Sequence, residues 1–127
     1  MTTEPVALVV DDDPDCRAMI ALMGTIWGTP VLEAGNCAEA LAVLERERER
    51  IRLILLDYFM PGMQPAECAA ALSAKAGPSI PIVLITAAVD PALRAAELNL
   101  TQWVSKPFDI SAIETLFRKV IDNRSAA

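Results

Sequence analysis

Val6-Ala7-Leu8-Val9-Val10-Asp11-Asp12-Asp13-Pro14 runs five apolar residues straight into three carboxylates and a proline. The apolar run is too short for a helix and has no polar alternation, so it reads as a strand buried on both faces, as in parallel sheets. Asp13 offers a helix cap and Pro14 a first-turn residue whose φ is preset for a helix. Met19, Ile20, Met23, Ile26 and Trp27 then fall at i, i+3 and i+4 spacing, predicting a helix over 14–27 with these residues as its apolar stripe.

The same unit recurs. Val31 to Ala34, Ile51 to Leu56, Ile80 to Ile85 and Gln102 to Ser105 are further short runs rich in Val, Ile or Leu. Asn36 can cap a second helix in which Ala40, Leu41 and Leu44 face inward, while Glu45 to Arg50 alternates acid and base as a solvated face. Pro65 to Lys75 predicts a third helix that Gly77-Pro78 stops, and Pro91 opens a fourth to about Leu98. Asp109 can cap a fifth, striped by Ile110, Ile113, Leu116, Phe117, Val120 and Ile121. Strand and helix alternating five times imply right-handed crossovers, hence a doubly wound three-layer α/β sandwich spanning residues 1–127 as a single domain.

Composition narrows the function. With 54% apolar and 22% charged residues the 127-residue chain can build a full core, and its net charge of -6 is the wrong sign for holding nucleic-acid phosphates. Met1 to Pro5 lack a signal peptide's cationic start, and no apolar stretch approaches the roughly 20 residues a membrane span needs, so a cytoplasmic protein is expected. Cys16, Cys37 and Cys68 show no metal-ligand spacing, and without histidine the mixed zinc sites cannot form; they read as reduced, mostly buried thiols. Outside an export route the sequons Asn99-Leu100-Thr101 and Asn123-Arg124-Ser125 carry no weight.

In doubly wound sheets the polar site lies beyond the carboxyl ends of the strands. Here those ends carry Asp11-Asp12-Asp13, Asp57, Thr86 and Lys106. Asp11, Asp12 and Asp57 together would place about three negative charges within a few ångströms, a repulsion that a hard divalent ion such as Mg²⁺ relieves. Lys106 adds a compact cation and Thr86 a hydroxyl donor, suited to the oxygens of a phosphoryl group on a carboxylate. Asp13 before Pro14 reads as a helix cap. Asp57 does not, because the segment after it, Tyr58-Phe59-Met60-Pro61-Gly62-Met63, is apolar and turn-forming.

Taken in order, Val9-Val10-Asp11-Asp12-Asp13, Leu55-Leu56-Asp57-Tyr58-Phe59-Met60-Pro61-Gly62-Met63, Leu84-Ile85-Thr86-Ala87 and Ser105-Lys106-Pro107-Phe108 resemble the four motifs of the receiver domain of bacterial two-component response regulators. The resemblance covers essentially the whole chain and implies a flavodoxin-like sheet of order 2-1-3-4-5 with five helices. It implies that Asp57 accepts a phosphoryl group from a histidine kinase's phosphohistidine, or from a phosphotransfer protein, in a signalling domain rather than an enzyme. Asp12, Asp57 and the backbone carbonyl of Phe59 would ligate Mg²⁺, Asp11 would hold it mainly through water, and Thr86 and Lys106 would bind the phosphoryl oxygens. The Lys106-Pro107 bond would be cis, aiming Lys106 into the site.

The resemblance further implies a switch in which Thr86 moves toward the phosphoryl group and an aromatic residue of the fifth strand, here Trp103, enters the vacated space. The fourth helix, the fifth strand and the fifth helix would form the output face. Residue 127 falls soon after the last helix, so output is expected through a partner, a dimer or a further domain. Asn99-Leu100 stands where the family often has Gly-Ala, which predicts a left-handed Asn99. Trp27 is expected to pack at the core or its edge. Phe59 and Ala88 offer no polar side chain to orient an attacking water, which predicts slow loss of the phosphoryl group.

Three other readings compete. A phosphatase of the haloacid dehalogenase type would share Asp11-x-Asp13, Thr86 and Lys106, but the chain has no later strand ending in an acidic pair and no cap domain. A flavin carrier would place a phosphate against Asp11-Asp12-Asp13, which repels it unless metal is present. A phosphate-independent docking module keeps the fold and leaves the acidic site without a task.

Overall fold

The computed structural model describes residues 4–126, with side chains as far as residue 120; Ile121 and the Asn123-Arg124-Ser125 sequon lie outside the described side chains. Along the chain alternate β1 (Val6–Val10), α1 (Pro14–Ile26), β2 (Val31–Ala34), α2 (Cys37–Glu47), β3 (Ile51–Asp57), α3 (Pro65–Ala76), β4 (Ile82–Thr86), α4 (Pro91–Glu97), β5 (Trp103–Ser105) and α5 (Ile110–Ala126). The strands are parallel in the order β2-β1-β3-β4-β5, the doubly wound, flavodoxin-like arrangement anticipated. Pro81 delays β4 by two residues, since it has no N–H to give the ladder; its carbonyl still accepts from the Ile54 amide at 3.0 Å.

Side chains alternate across the pleat and divide the core in two. Val6, Leu8, Val10, Ile54, Leu56 and Leu84 pack under α2, α3 and α4. Ala7, Val9, Leu53, Leu55, Val83 and Ile85 pack under α1 and α5. The polar ends of the strands are thereby held between two rigid helical layers.

The caps form where the sequence places them: Asp13 accepts from the Asp15 amide, Asn36 from the Glu39 amide and Asp109 from the Ser111 amide. Asn99 adopts φ 59, the left-handed conformation expected before β5. Trp27 packs edge-on against Phe117 with ring centroids 5.3 Å apart.

Two expectations need correction. The α1 stripe is only half buried: Ile20 and Met23 face the core, but Met19 and Ile26 are exposed. Gly24 sets that rotation. A Cβ there would stand 2.5 Å from the Thr29 carbonyl oxygen and 2.5 Å from Val31 Cγ2, so the helix meets the sheet at its smallest residue, with Met23 beside it in the core and Met19 and Ile26 left outside. Ile110, at the start of α5, is likewise exposed.

The thiols are not all reduced. Cys37 and Cys68 form a disulfide with Cα atoms 5.9 Å apart, leaving Cys16 as the free cysteine. Both half-cystines are buried, because α2 and α3 lie side by side on one face of the sheet and their first turns adjoin.

Candidate phosphoacceptor site

Each polar residue of the site is placed by the end of a strand. The Asp11 amide donates to the Ala34 carbonyl at 3.0 Å, holding the β1 exit against β2, and the Lys106 amide donates to the Thr86 carbonyl at 2.8 Å, holding the β5 exit against β4. Asp57 is the last residue of β3, between them in the sheet. The Lys106-Pro107 bond is cis, as anticipated.

These exits bring the charges together. Lys106 Nζ lies 2.7 Å from Asp11 Oδ2 and 3.4 Å from Asp57 Oδ1. Asp11, Asp12 and Asp57 each offer a carboxylate oxygen, all within 4.8 Å of one another, with Asp12 exposed and the other two buried. Three hard oxygen donors so close suit a divalent cation of the Mg²⁺ type. Thr86 is fully buried and its Oγ1 accepts from the Ala88 amide at 3.0 Å, a bond that does not use the hydroxyl proton.

The electrostatics follow from the packing. Burial, then the neighbouring charge of Asp11, pushes the Asp57 carboxyl up to about 6 despite Lys106. Asp11 falls below its ordinary value: burial opposes this, but hydrogen bonds from Cys16, Lys106 and the Asp13 amide outweigh it. Lys106 is raised against its burial by its bond to Asp11 and the charges of Asp57 and Asp11. Burial and the bond to Asp11 push the Cys16 thiol up to about 12, so it sits there as a donor rather than a thiolate.

Three supporting contacts were not foreseen in the sequence. Cys16 reaches Asp11 from the first turn of α1. Arg17, one residue on, donates to the Asp11 carbonyl at 2.7 Å and pairs with Glu33 of β2 at 3.2 Å, fixing the acidic turn from behind. Tyr58 donates its hydroxyl to Glu97 at 2.9 Å, and Arg94 pairs with Glu97 at 2.8 Å while lying 5.5 Å above the Tyr58 ring. That cluster ties the loop after Asp57 to α4. A basic residue one helical turn after Asp13 was a usable signal for Arg17; nothing local marks Tyr58 or Cys16.

The expected switch residue Trp103 is exposed on β5, beside Leu84 in register and so on the α4 side of the sheet. Phe59 is also exposed, its ring edge-on to Tyr58 with centroids 4.9 Å apart. Beside Lys106 an open hollow of about 550 Å³ is lined by Cys16, Met19, Met23, Pro107, Phe108 and Ile110 among others, so the outward Met19 and Ile110 face it.

The chain is similar to known proteins in sequence and in fold. The family profile described as "Response regulator receiver domain" matches residues 7–118. The phosphate regulon transcriptional regulatory protein PhoB of Pseudomonas aeruginosa is 35% identical over 104 residues, covering 80% of this chain and 44% of that protein. The transcriptional regulatory protein GlrR of Escherichia coli is 32% identical over 108 residues, covering 84% of this chain and 24% of its own length. This chain thus spans less than half of either relative. Among solved structures, the chemotaxis response regulator CheY4 of Vibrio cholerae superposes with a TM-score of 0.78 at 26% identity, covering 92% of this chain and 98% of that one. Among the described residues no helix is long and apolar enough to cross a membrane.

Proposed function

This chain belongs to the response regulator receiver domain family, and from that premise we propose that Asp57 is its phosphoacceptor, taking a phosphoryl group from the phosphohistidine of a kinase or phosphotransfer protein. The observation that carries this reading is the meeting of three strand exits: Asp11, Asp12 and Asp57 with oxygens within 4.8 Å, and Lys106 Nζ 2.7 and 3.4 Å from two of them. An Asp57 carboxylate oxygen attacks phosphorus in line, the N–P bond to the donor imidazole breaks, and an acyl phosphate results. Lys106 is placed to neutralise one phosphoryl oxygen and Thr86 to donate its hydroxyl proton to another.

Asp12, Asp57 and the Phe59 carbonyl would hold Mg²⁺, with Asp11 acting mainly through water. When bound, the ion offsets the repulsion among the carboxylates and the incoming phosphoryl oxygens. The exposed α4 side of the sheet, with Leu93 and Trp103, serves as the output face toward a partner or a further domain, and Tyr58 links the acceptor loop to it through Glu97.

The test is intact-protein mass after incubation with Mg²⁺ and acetyl phosphate. A single phosphoryl adduct is expected, abolished by a chelator. No adduct together with no Mg²⁺ binding would make the phosphate-independent docking module the better reading.

The lifetime of the adduct is a second expectation. Neither Phe59 nor Ala88 presents a polar group beside Asp57, so water attacks without an oriented hydrogen bond. Replacing Phe59 by Asn should speed hydrolysis on the order of tenfold, less than a full general base contributes, because an amide orients the water without taking its proton. Adduct decay after removal of the donor measures this, and an unchanged lifetime refutes it.

A further inference from the structure

The Cys37–Cys68 pair is a feature of the fold that the phosphoacceptor chemistry does not use. Cys37 opens α2 and Cys68 lies in the first turn of α3; their Cα atoms are 5.9 Å apart at a sequence separation of 31. The segment they enclose contains all of β3, Asp57 and the loop from Tyr58 to Gln64. A covalent bond at its two ends therefore restrains the stretch of chain that presents the acceptor carboxylate.

We propose that Cys37 and Cys68 are a reversible thiol modification site, oxidised by a low-molecular-weight disulfide of the glutathione class, and that the cross-link holds the phosphoacceptor loop in its acceptor-competent form. The regulatory half rests on the phosphoacceptor reading above; the cross-link itself does not. One cysteine thiolate attacks the small disulfide, releasing one small thiol and forming a mixed disulfide. The second cysteine displaces the other small thiol, so two protein thiols and one small disulfide become one protein disulfide and two small thiols. Cys37 is 5% and Cys68 1% exposed, so a bulky mixed disulfide is poorly accommodated and the exchange runs on to the internal bond.

Entry is through the first turn of α2. It follows the half-buried Asn36 cap and is held there by the Asn36–Glu39 and Gly35–Glu39 hydrogen bonds, both at the surface. Opening that turn bares Cys37 without unfolding the sheet. Cys16 lies on α1, across the sheet, bonded to Asp11 rather than to another cysteine. In the cross-linked structure the three carboxylates sit within 4.8 Å of one another. Reduction frees the α3 end of the loop, and the acceptor site should weaken with it.

The experiment uses the whole chain, equilibrated with oxidised glutathione or with dithiothreitol. Alkylation under denaturing conditions should count one thiol in the first sample and three in the second. Acetyl phosphate labelling with Mg²⁺ should run at least threefold slower in the reduced protein, and amide exchange across residues 58–68 should be faster there. Cys68→Ala should label at the reduced rate under both conditions; should that variant fold poorly, the comparison of the two wild-type samples stands alone. Three thiols after the oxidant, or equal exchange in both samples, overturns the proposal, and so do equal non-zero labelling rates. If neither sample labels at all, the phosphoacceptor reading falls, while thiol count and exchange still decide whether the cross-link forms and holds the loop.

Discussion

Asp57→Asn is expected to yield a protein that takes no phosphoryl adduct and is more stable than the wild type at neutral pH without Mg²⁺. The first effect is complete, because an amide offers no carboxylate oxygen to the phosphorus. The second follows from the site's electrostatics. Burial and the Asp11 charge raise the folded-state pKa of Asp57 from an ordinary 3.8 to about 6. Folding thus favours the protonated form, and the benefit is fully present below about pH 4 and lost as pH rises through about 6. Above that point the wild type carries a penalty of roughly 2–3 kcal/mol that the neutral amide avoids. The gain of the variant should accordingly be near zero at pH 4 and reach its plateau above pH 6, about 8 °C in Tm. Mg²⁺ should raise the wild-type Tm and leave the variant's much less changed. Thermal melts across pH, with and without the ion, measure all of this; a variant less stable than wild type at pH 7.5 would contradict the electrostatic account.

The residues that made the fold legible are the ones that physics leaves least choice. β1, β3 and β4 are covered by helices on both faces, so Val6 to Val10, Leu53 to Leu56 and Ile82 to Ile85 had to be apolar throughout, and the carboxylates and hydroxyl at their ends stand out by contrast. Asp11, Asp57 and Thr86 were readable for that reason. What local sequence could not show depends on how elements rotate and which ones adjoin. Counting large apolar residues put Met19 and Ile26 on the buried stripe, whereas a close approach at Gly24 decides which way α1 faces. Cys37 and Cys68 become neighbours only because a right-handed crossover lays α2 and α3 on the same face. Tyr58 meets Glu97 across 39 residues, an exposed contact that no periodicity announces.

Lys106→Met is the complementary experiment, and it should destabilise the protein by about 3 kcal/mol at pH 7.5 in the absence of Mg²⁺. Methionine keeps most of the length of the side chain and removes the only cation among the described residues recorded within 4.0 Å of the Asp11 or Asp57 carboxylate oxygens. Two buried carboxylates then face each other unpaired, which costs far more than the loss of a surface ion pair. Lys106 itself has a raised pKa in the folded state, so its contribution is fully present below the ordinary lysine value of 10.5 and is lost only at still higher pH. The pH dependence near neutrality must therefore come from the carboxylates. As pH falls Asp57 takes up a proton, and the deficit of the Lys106→Met protein should shrink between pH 7.5 and 5. The two substitutions should also be strongly non-additive: with Asp57→Asn in place only Asp11 is left unpaired, so Lys106→Met should cost less there by 1 kcal/mol or more, on the order expected for residues in direct contact. Additive effects would mean that Lys106 acts on Asp11 alone and that its 3.4 Å approach to Asp57 carries no energy.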